Sequence, residues 1–208
     1  MFVLAALLMA GSQIHAQEEH QYVDLGLPSG TLWATCNVGA TTPEGKGDHF
    51  AWGETTPQPY TGEAWRWSTY KYCKGNDHSY TKYCQSSDYG YNGYTDNLTV
   101  LVPEDDAATA NWGAEWRTPS MEEWKELKEN TRVESFTMNG VWGFRYTAPN
   151  GNSIFLPGAG ENHYFDGKGK YWSSTLYSLN SAYCFWYQDM TNNSRVAGCS
   201  VRPVRANK

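Results

Sequence analysis

Positive charge is scarce in this chain and is nowhere gathered into runs. Sixteen Lys and Arg residues stand against 22 Asp and Glu residues, a formal net charge of −6. Binding a phosphate backbone needs a basic stripe, so nucleic acid is excluded as a partner. Electrostatic docking on anionic lipid is excluded for the same reason. Long hydrophobic runs are also missing. Phe2 to Ala10 is apolar but too short to span a bilayer, and nothing after it is longer. The common catalytic signatures (Gly-x-Ser-x-Gly, a phosphate loop, His-Glu-x-x-His) do not occur. Cys-x-x-Cys spacing is absent and no histidine neighbours a cysteine, which argues against a zinc site. The five histidines, His15, His20, His49, His78 and His163, are isolated from one another. Aliphatic side chains are modest in number.

Aromatic residues are plentiful instead: ten Trp, fifteen Tyr and seven Phe. A core built largely from rings follows, with part of the surplus left for the surface. A chain of 208 residues predicts one domain with enough length to bury a core. The apolar start followed by Ile14-His15-Ala16 reads as a signal peptide over residues 1–16, with Gln17 opening a single domain over 17–208. The alternative is a buried N-terminal strand or helix. No cysteine closely follows the apolar run, so a lipid anchor is not expected. The protein is then exported, to the periplasm, the outer surface or the medium.

Asp105 to Leu127 organises the rest. It reads as two short helices, the first capped by Asp105, favoured by Ala107, Ala108 and Ala110, and ended at Gly113. Thr118-Pro119 interrupts, and Ser120 with Glu123 forms a capping box for the second. Met121, Trp124 and Leu127 then share a face. Strands are expected on both sides of Leu27-Pro28-Ser29-Gly30. More are expected around the hairpin signal Asn139-Gly140, then over Ser153–Leu156, Tyr171–Thr175, Ala182–Gln188 and Ser200–Arg205, with a turn over Met190–Ser194. The fold class is α+β, mostly short antiparallel strands around two central helices.

The segment Asp105-Asp106-Ala107-Ala108, Trp112-Gly113, Trp116-Arg117-Thr118-Pro119-Ser120 and Glu123-Trp124 resembles the signature of the Fibrobacter succinogenes major paralogous domain, found in exported proteins of gut Bacteroidetes. The resemblance extends to Val23–Ala34, Ala51–Thr55, Ser153–Pro157, Tyr171–Ser174 and Ser200–Val204, nearly all of the mature chain. Arg117-Thr118-Pro119-Ser120 with Glu123-Trp124 is more distantly similar to formylglycine-generating-type domains. The resemblance implies a C-type-lectin-like fold, in which Ser200–Arg205 returns beside the first strands. It also places Trp33, Trp52, Trp112, Trp116, Trp124 and Trp172 in the core. Formylglycine-generating enzymes use two closely spaced cysteines near the C-terminus, whereas Cys199 stands alone here. Calcium-dependent lectins of this fold use Glu-Pro-Asn and Trp-Asn-Asp, and neither occurs.

Three groups of site candidates remain. Pro57 to Thr95 is rich in Trp and Tyr and poor in aliphatics, so it is either a lid or a binding surface; Trp65, Trp67 and Tyr70, with Tyr164 from the glycine-rich stretch 158–169, are the ring-stacking candidates. The competing reading packs these rings onto the domain. Asp96, Glu104, Asp105 and Asp106 are oxygen donors that would suit calcium, or else charge favouring a helix N-terminus. Among the cysteines, Thr69–Cys73 is echoed by Tyr80–Cys84, so a hairpin turning at Gly75-Asn76-Asp77 would set Cys73 opposite Cys84; Cys184 and Cys199 form a second candidate disulfide, leaving Cys36 as a small buried residue. No cofactor is implied. The reading is an exported, non-catalytic ligand-binding or adhesion module for a glycan or a surface protein. The alternatives are a subunit of a surface assembly, or an enzyme related to the formylglycine-generating type.

Overall fold

The computed structural model describes residues 20–58, 66–158 and 169–207. The expected signal peptide over 1–16 lies outside them. Three antiparallel three-stranded sheets surround two helices among these residues. The first sheet joins β1 (Tyr22–Asp24), β2 (Leu32–Ala34) and β9 (Val204–Arg205). Gly30 donates to the Leu27 carbonyl at 2.8 Å to close the predicted turn. β9 pairs with β2, Trp33 opposite Val204, so the chain end does return beside the first strands.

α1 (Ala107–Trp112) and α2 (Met121–Asn130) follow the expected punctuation with one change. The cap of α1 is Asp106, not Asp105: its carboxylate accepts from the Ala108 and Thr109 amides. Gly113 ends α1 at φ 98°. In α2 both halves of the capping box are formed, Ser120 taking the Glu123 amide and Glu123 the Ser120 amide. The Glu123 carboxylate also receives Arg117 at 2.6 and 2.7 Å and the Thr31 hydroxyl at 2.7 Å, which ties the start of α2 to β2.

β3 (Arg132–Met138), β4 (Val141–Thr147) and β5 (Ser153–Pro157) form the second sheet. Its first turn is Asn139-Gly140, both at positive φ (47° and 82°), as a tight type I′ connection requires. β6 (Lys170–Ser178), β7 (Ser181–Trp186) and β8 (Asp189–Ser194) form the third. β8 occupies residues that read as a turn, because Asp189-Met190-Thr191-Asn192-Asn193-Ser194 shows no alternation; it is a polar strand paired with β7, with Met190 on the core and Asp189 accepting from Lys128 of α2 at 2.9 Å.

The core is aromatic. Trp33, Trp52, Trp112, Trp116, Trp124 and Trp172 are all buried. Trp124 of α2 stacks on Phe185 at 4.7 Å and meets Trp33 at 4.8 Å. Three of the indole N–H groups go to backbone carbonyls, Trp52 to Ser173, Trp172 to Phe50 and Trp124 to Trp172, while that of Trp33 is buried without a partner among the described residues. Much of the described tyrosine-rich stretch is core too, contrary to the expectation of a lid or surface, although Tyr91 and Tyr94 at its end are exposed. Tyr70, Tyr72, Tyr80 and Tyr83 are buried and supply the ring area that aliphatics would have given. They surround the fully buried Arg195, whose guanidinium lies 4.7 Å from the Tyr80 ring and 5.3 Å from Trp52 and Tyr70. Its N–H groups go to the carbonyls of Lys82, Tyr83 and Leu179 and to the Tyr70 hydroxyl.

Candidate binding surface

The stacking candidates drawn from sequence do not form a surface. Trp65 and Tyr164 lie outside the described residues. Trp67 is half-buried and edge-on to Tyr70 and Tyr80, both at 5.7 Å. Tyr70 is buried, and its hydroxyl donates to the Trp52 carbonyl at 2.7 Å while burial pushes its pKa up to about 12. Its ring offers no face to a ligand.

The acidic candidates are taken up by the protein itself. Asp96 accepts the amides of Tyr83, Cys84 and Leu98, closing a loop. Glu104 is exposed, 3.5 Å from Lys82. Asp105 is buried, paired with Lys82 and, at 3.5 Å, with Lys71, and it accepts the Tyr83 hydroxyl at 2.8 Å. Burial opposes its charge, but the Lys82 bond and the Tyr72 and Tyr83 hydroxyls outweigh that and lower its pKa. Asp106 is buried under the Thr118 amide and hydroxyl, and burial raises its pKa. Calcium would have to displace two lysines and a helix cap. Among the described residues no group of His, Cys, Asp and Glu is placed to hold a metal.

Both expected disulfides are corrected. No disulfide joins any of the five cysteines. The hairpin turns where expected, but a turn centred on Asn76-Asp77, closed by the Lys74 amide on the Ser79 carbonyl, sets Cys73 opposite Tyr80 rather than Cys84. Cys73 donates to the Trp67 carbonyl, and Cys84 to that of Ser86. Burial raises the Cys73 pKa, so this thiol is a poor nucleophile. Cys184 pairs across its sheet with Thr191, while Cys199 bridges to Phe50.

A ridge of exposed aromatics lies elsewhere. Trp142, Phe144 and Tyr146 share one face of β4 by strand alternation. Phe144 and Tyr146 are covered by the core; Trp142, one step nearer the Asn139-Gly140 turn, is 37% exposed. Its indole N–H donates to the Ser135 hydroxyl at 2.8 Å across the hairpin, which fixes the ring. Phe144 meets Trp142 at 5.0 Å and Tyr187 at 5.6 Å, joining the two into one ridge. Tyr187 is 54% exposed and sits in the two-residue turn between β7 and β8. Both turn residues, Tyr187 (φ 48°) and Gln188 (φ 66°), adopt the left-handed region that such turns normally give to Asn-Gly. Holding two ordinary residues there costs about 1–2 kcal/mol each, a strain retained with the ring displayed. Beside the ridge is a shallow crease of about 10 Å³ edged by Leu156, Pro157, Phe185 and Gln188. The arrangement suits a flat ligand laid on rings rather than one buried in a pocket. Sequence reasoning missed it because Ala182–Gln188 read as continuous strand, with no glycine or asparagine to mark the turn.

No helix among the described residues is long and apolar enough to cross a membrane. Comparison with family models, curated proteins and solved structures finds no match.

Proposed function

We propose that the chain is an exported, non-catalytic module that binds glycan by ring stacking on the Trp142–Phe144–Tyr187 ridge. The observation that carries this reading is the strained Tyr187-Gln188 turn, which sets an exposed tyrosine next to an exposed, hydrogen-bond-fixed tryptophan. Apolar sugar faces stack on such rings without needing charge, in keeping with a chain short of cations. The motif resemblance to the Fibrobacter succinogenes major paralogous domain, and the pairing of β9 with β2, support a C-type-lectin-like assignment. Calcium plays no part in this reading, since Asp96, Asp105 and Asp106 already serve the fold.

A glycan-array screen of residues 17–208 tests it, with Trp142→Ala and Tyr187→Ala run in parallel. Binding by the parent, unchanged by chelator and reduced about tenfold by either substitution, is the expected result. Binding unaffected by both substitutions would remove the ridge from the account.

A further inference from the structure

The opposite face of the β3–β4–β5 sheet carries a second, chemically different site. Alternation puts Glu134, Phe136 and Met138 of β3 on that face, opposite Arg145 and Gly143 of β4 and Phe155 of β5. A cleft of about 110 Å³ opens there, floored by Met138 and Phe155, walled by Thr35 and Pro43, and rimmed by Arg145 and Ser153. Its wall is fixed, because Glu44 accepts a 2.8 Å bond from Asn139 and so holds the Pro43 segment against the end of the hairpin. Gly143 keeps the floor flat. A Cβ there would come within 2.3 Å of the Leu156 carbonyl and 2.7 Å of the Phe155 ring.

Arg145 is the one charged side chain lining this cleft, and it is poorly satisfied. Its guanidinium carbon lies 3.3 Å from the centroid of the Phe136 ring, so the group is stacked flat on that ring. Stacking uses the face of the guanidinium and leaves the N–H groups in its plane for a partner. The carboxylate nearest to them, Glu134, stands at 3.6 Å, too far for a hydrogen bond, and divides itself with Arg132 at 3.5 Å. Arg145 makes no hydrogen bond among the described residues.

We propose that this cleft binds a small organic carboxylate. The carboxylate takes the free edge of Arg145 in a two-point hydrogen bond, displacing Glu134, and the hydrocarbon body lies over Phe155 and Met138. A fixed, aromatic-backed guanidinium matches the planar, bidentate geometry of a carboxylate better than a sphere of charge. A cavity of about 150 Å³ holds benzene, so an open cleft of about 110 Å³ accepts a body near that size. Such a group occurs on free aromatic or aliphatic acids and on the uronic acids of polysaccharides.

The test is calorimetric titration of residues 17–208 with benzoate, benzamide, glucuronate and glucose. Saturable benzoate binding with a Kd of about 1 mM or tighter is expected, with at least about tenfold weaker binding of neutral benzamide. Glucuronate binding where glucose does not bind assigns the sugar acid as the source; benzoate alone assigns a free acid. Arg145→Gln abolishes binding, Arg145→Lys retains part of it, and Glu134→Gln tightens it several-fold by removing the competing carboxylate. That last gain is one a folding defect does not produce. Equal binding of benzoate and benzamide, binding indifferent to Arg145→Gln, or no saturable binding by either acid would overturn the proposal. Trp142 and Tyr187 lie on the other side of the sheet, so this result and the glycan screen succeed or fail separately.

Discussion

Asp105 and Asp106 are adjacent, chemically identical and employed in different ways. Asp106 faces the amides of α1 and becomes its cap. Asp105 turns toward Lys71, Lys82 and Tyr83 and holds the tyrosine-rich stretch to the helix. Nothing local distinguishes them, because the lysines that decide the matter come from a distant hairpin. Asp105→Asn leaves Lys82 beside a neutral group and should destabilise the fold by about 2–3 kcal/mol in urea titration. The pH dependence has a definite sign. Asp105 and Glu123 are held below their ordinary values of 3.8 and 4.5. Their contribution is present above those values and is lost as pH falls through the lowered folded ones. Asp106, raised by burial, works in the opposite sense and favours the fold in acid. Stability should therefore fall below about pH 4.5, and Asp105→Asn should make that fall shallower. A decline of equal steepness in the two proteins would show that Asp105 is not a source of it. The thiols give a second test at this scale. Unfolded, reduced-agent-free protein should titrate five thiols, and the native protein only Cys36, the one that is not buried.

Elements were legible where local chemistry decides them. The capping box of α2, the Gly113 stop and the Asn139-Gly140 turn depend on neighbours in sequence, and each formed as read. Ser120→Ala should cost about 1 kcal/mol in thermal or urea unfolding. The β7–β8 hairpin was not legible. Its second strand is polar, and its turn uses residues that dislike the conformation they hold. Long-range support makes that hairpin form: pairing with β7, the Lys128–Asp189 bond from α2 and Met190 packed on the core. The double change Tyr187→Asn, Gln188→Gly should relieve the strain, raising stability by about 1–2 kcal/mol while abolishing glycan retention. Higher stability with retention intact would mean that the tyrosine is not displayed for binding.

At the scale of the whole molecule, composition foretold a ring-built core but not which rings would fill it. The tryptophans of the family-like motifs went inside, and so did Tyr70, Tyr72, Tyr80 and Tyr83, which looked like surface. Hydroxyls are why the two kinds could not be told apart in advance: a tyrosine is buried readily once its O–H finds a carbonyl, as Tyr70 finds Trp52 and Tyr72 finds Gly53. Long-range closure depends likewise on side chains of unremarkable local sequence. Arg202, fully buried, donates to Asn37, to the carbonyls of Ala34 and Thr35 and to that of Phe155, joining the first sheet to the second. Its replacement by Met strips four acceptors at once and should prevent folding, read as loss of soluble protein and of near-ultraviolet dichroism. The candidate sites lie on the second and third sheets, away from the helical pair that dominates the sequence pattern.

The ridge can be tested most directly through the indole N–H signals of the tryptophans in a two-dimensional NMR titration with a panel of soluble oligosaccharides. Trp142 is accessible and pinned to Ser135, while Trp33, Trp52, Trp124 and Trp172 are buried. A saturable shift of the Trp142 signal, with those four unmoved, is the predicted result. No shift of Trp142 with any sugar, or shifts confined to the buried tryptophans, would contradict a glycan-stacking ridge.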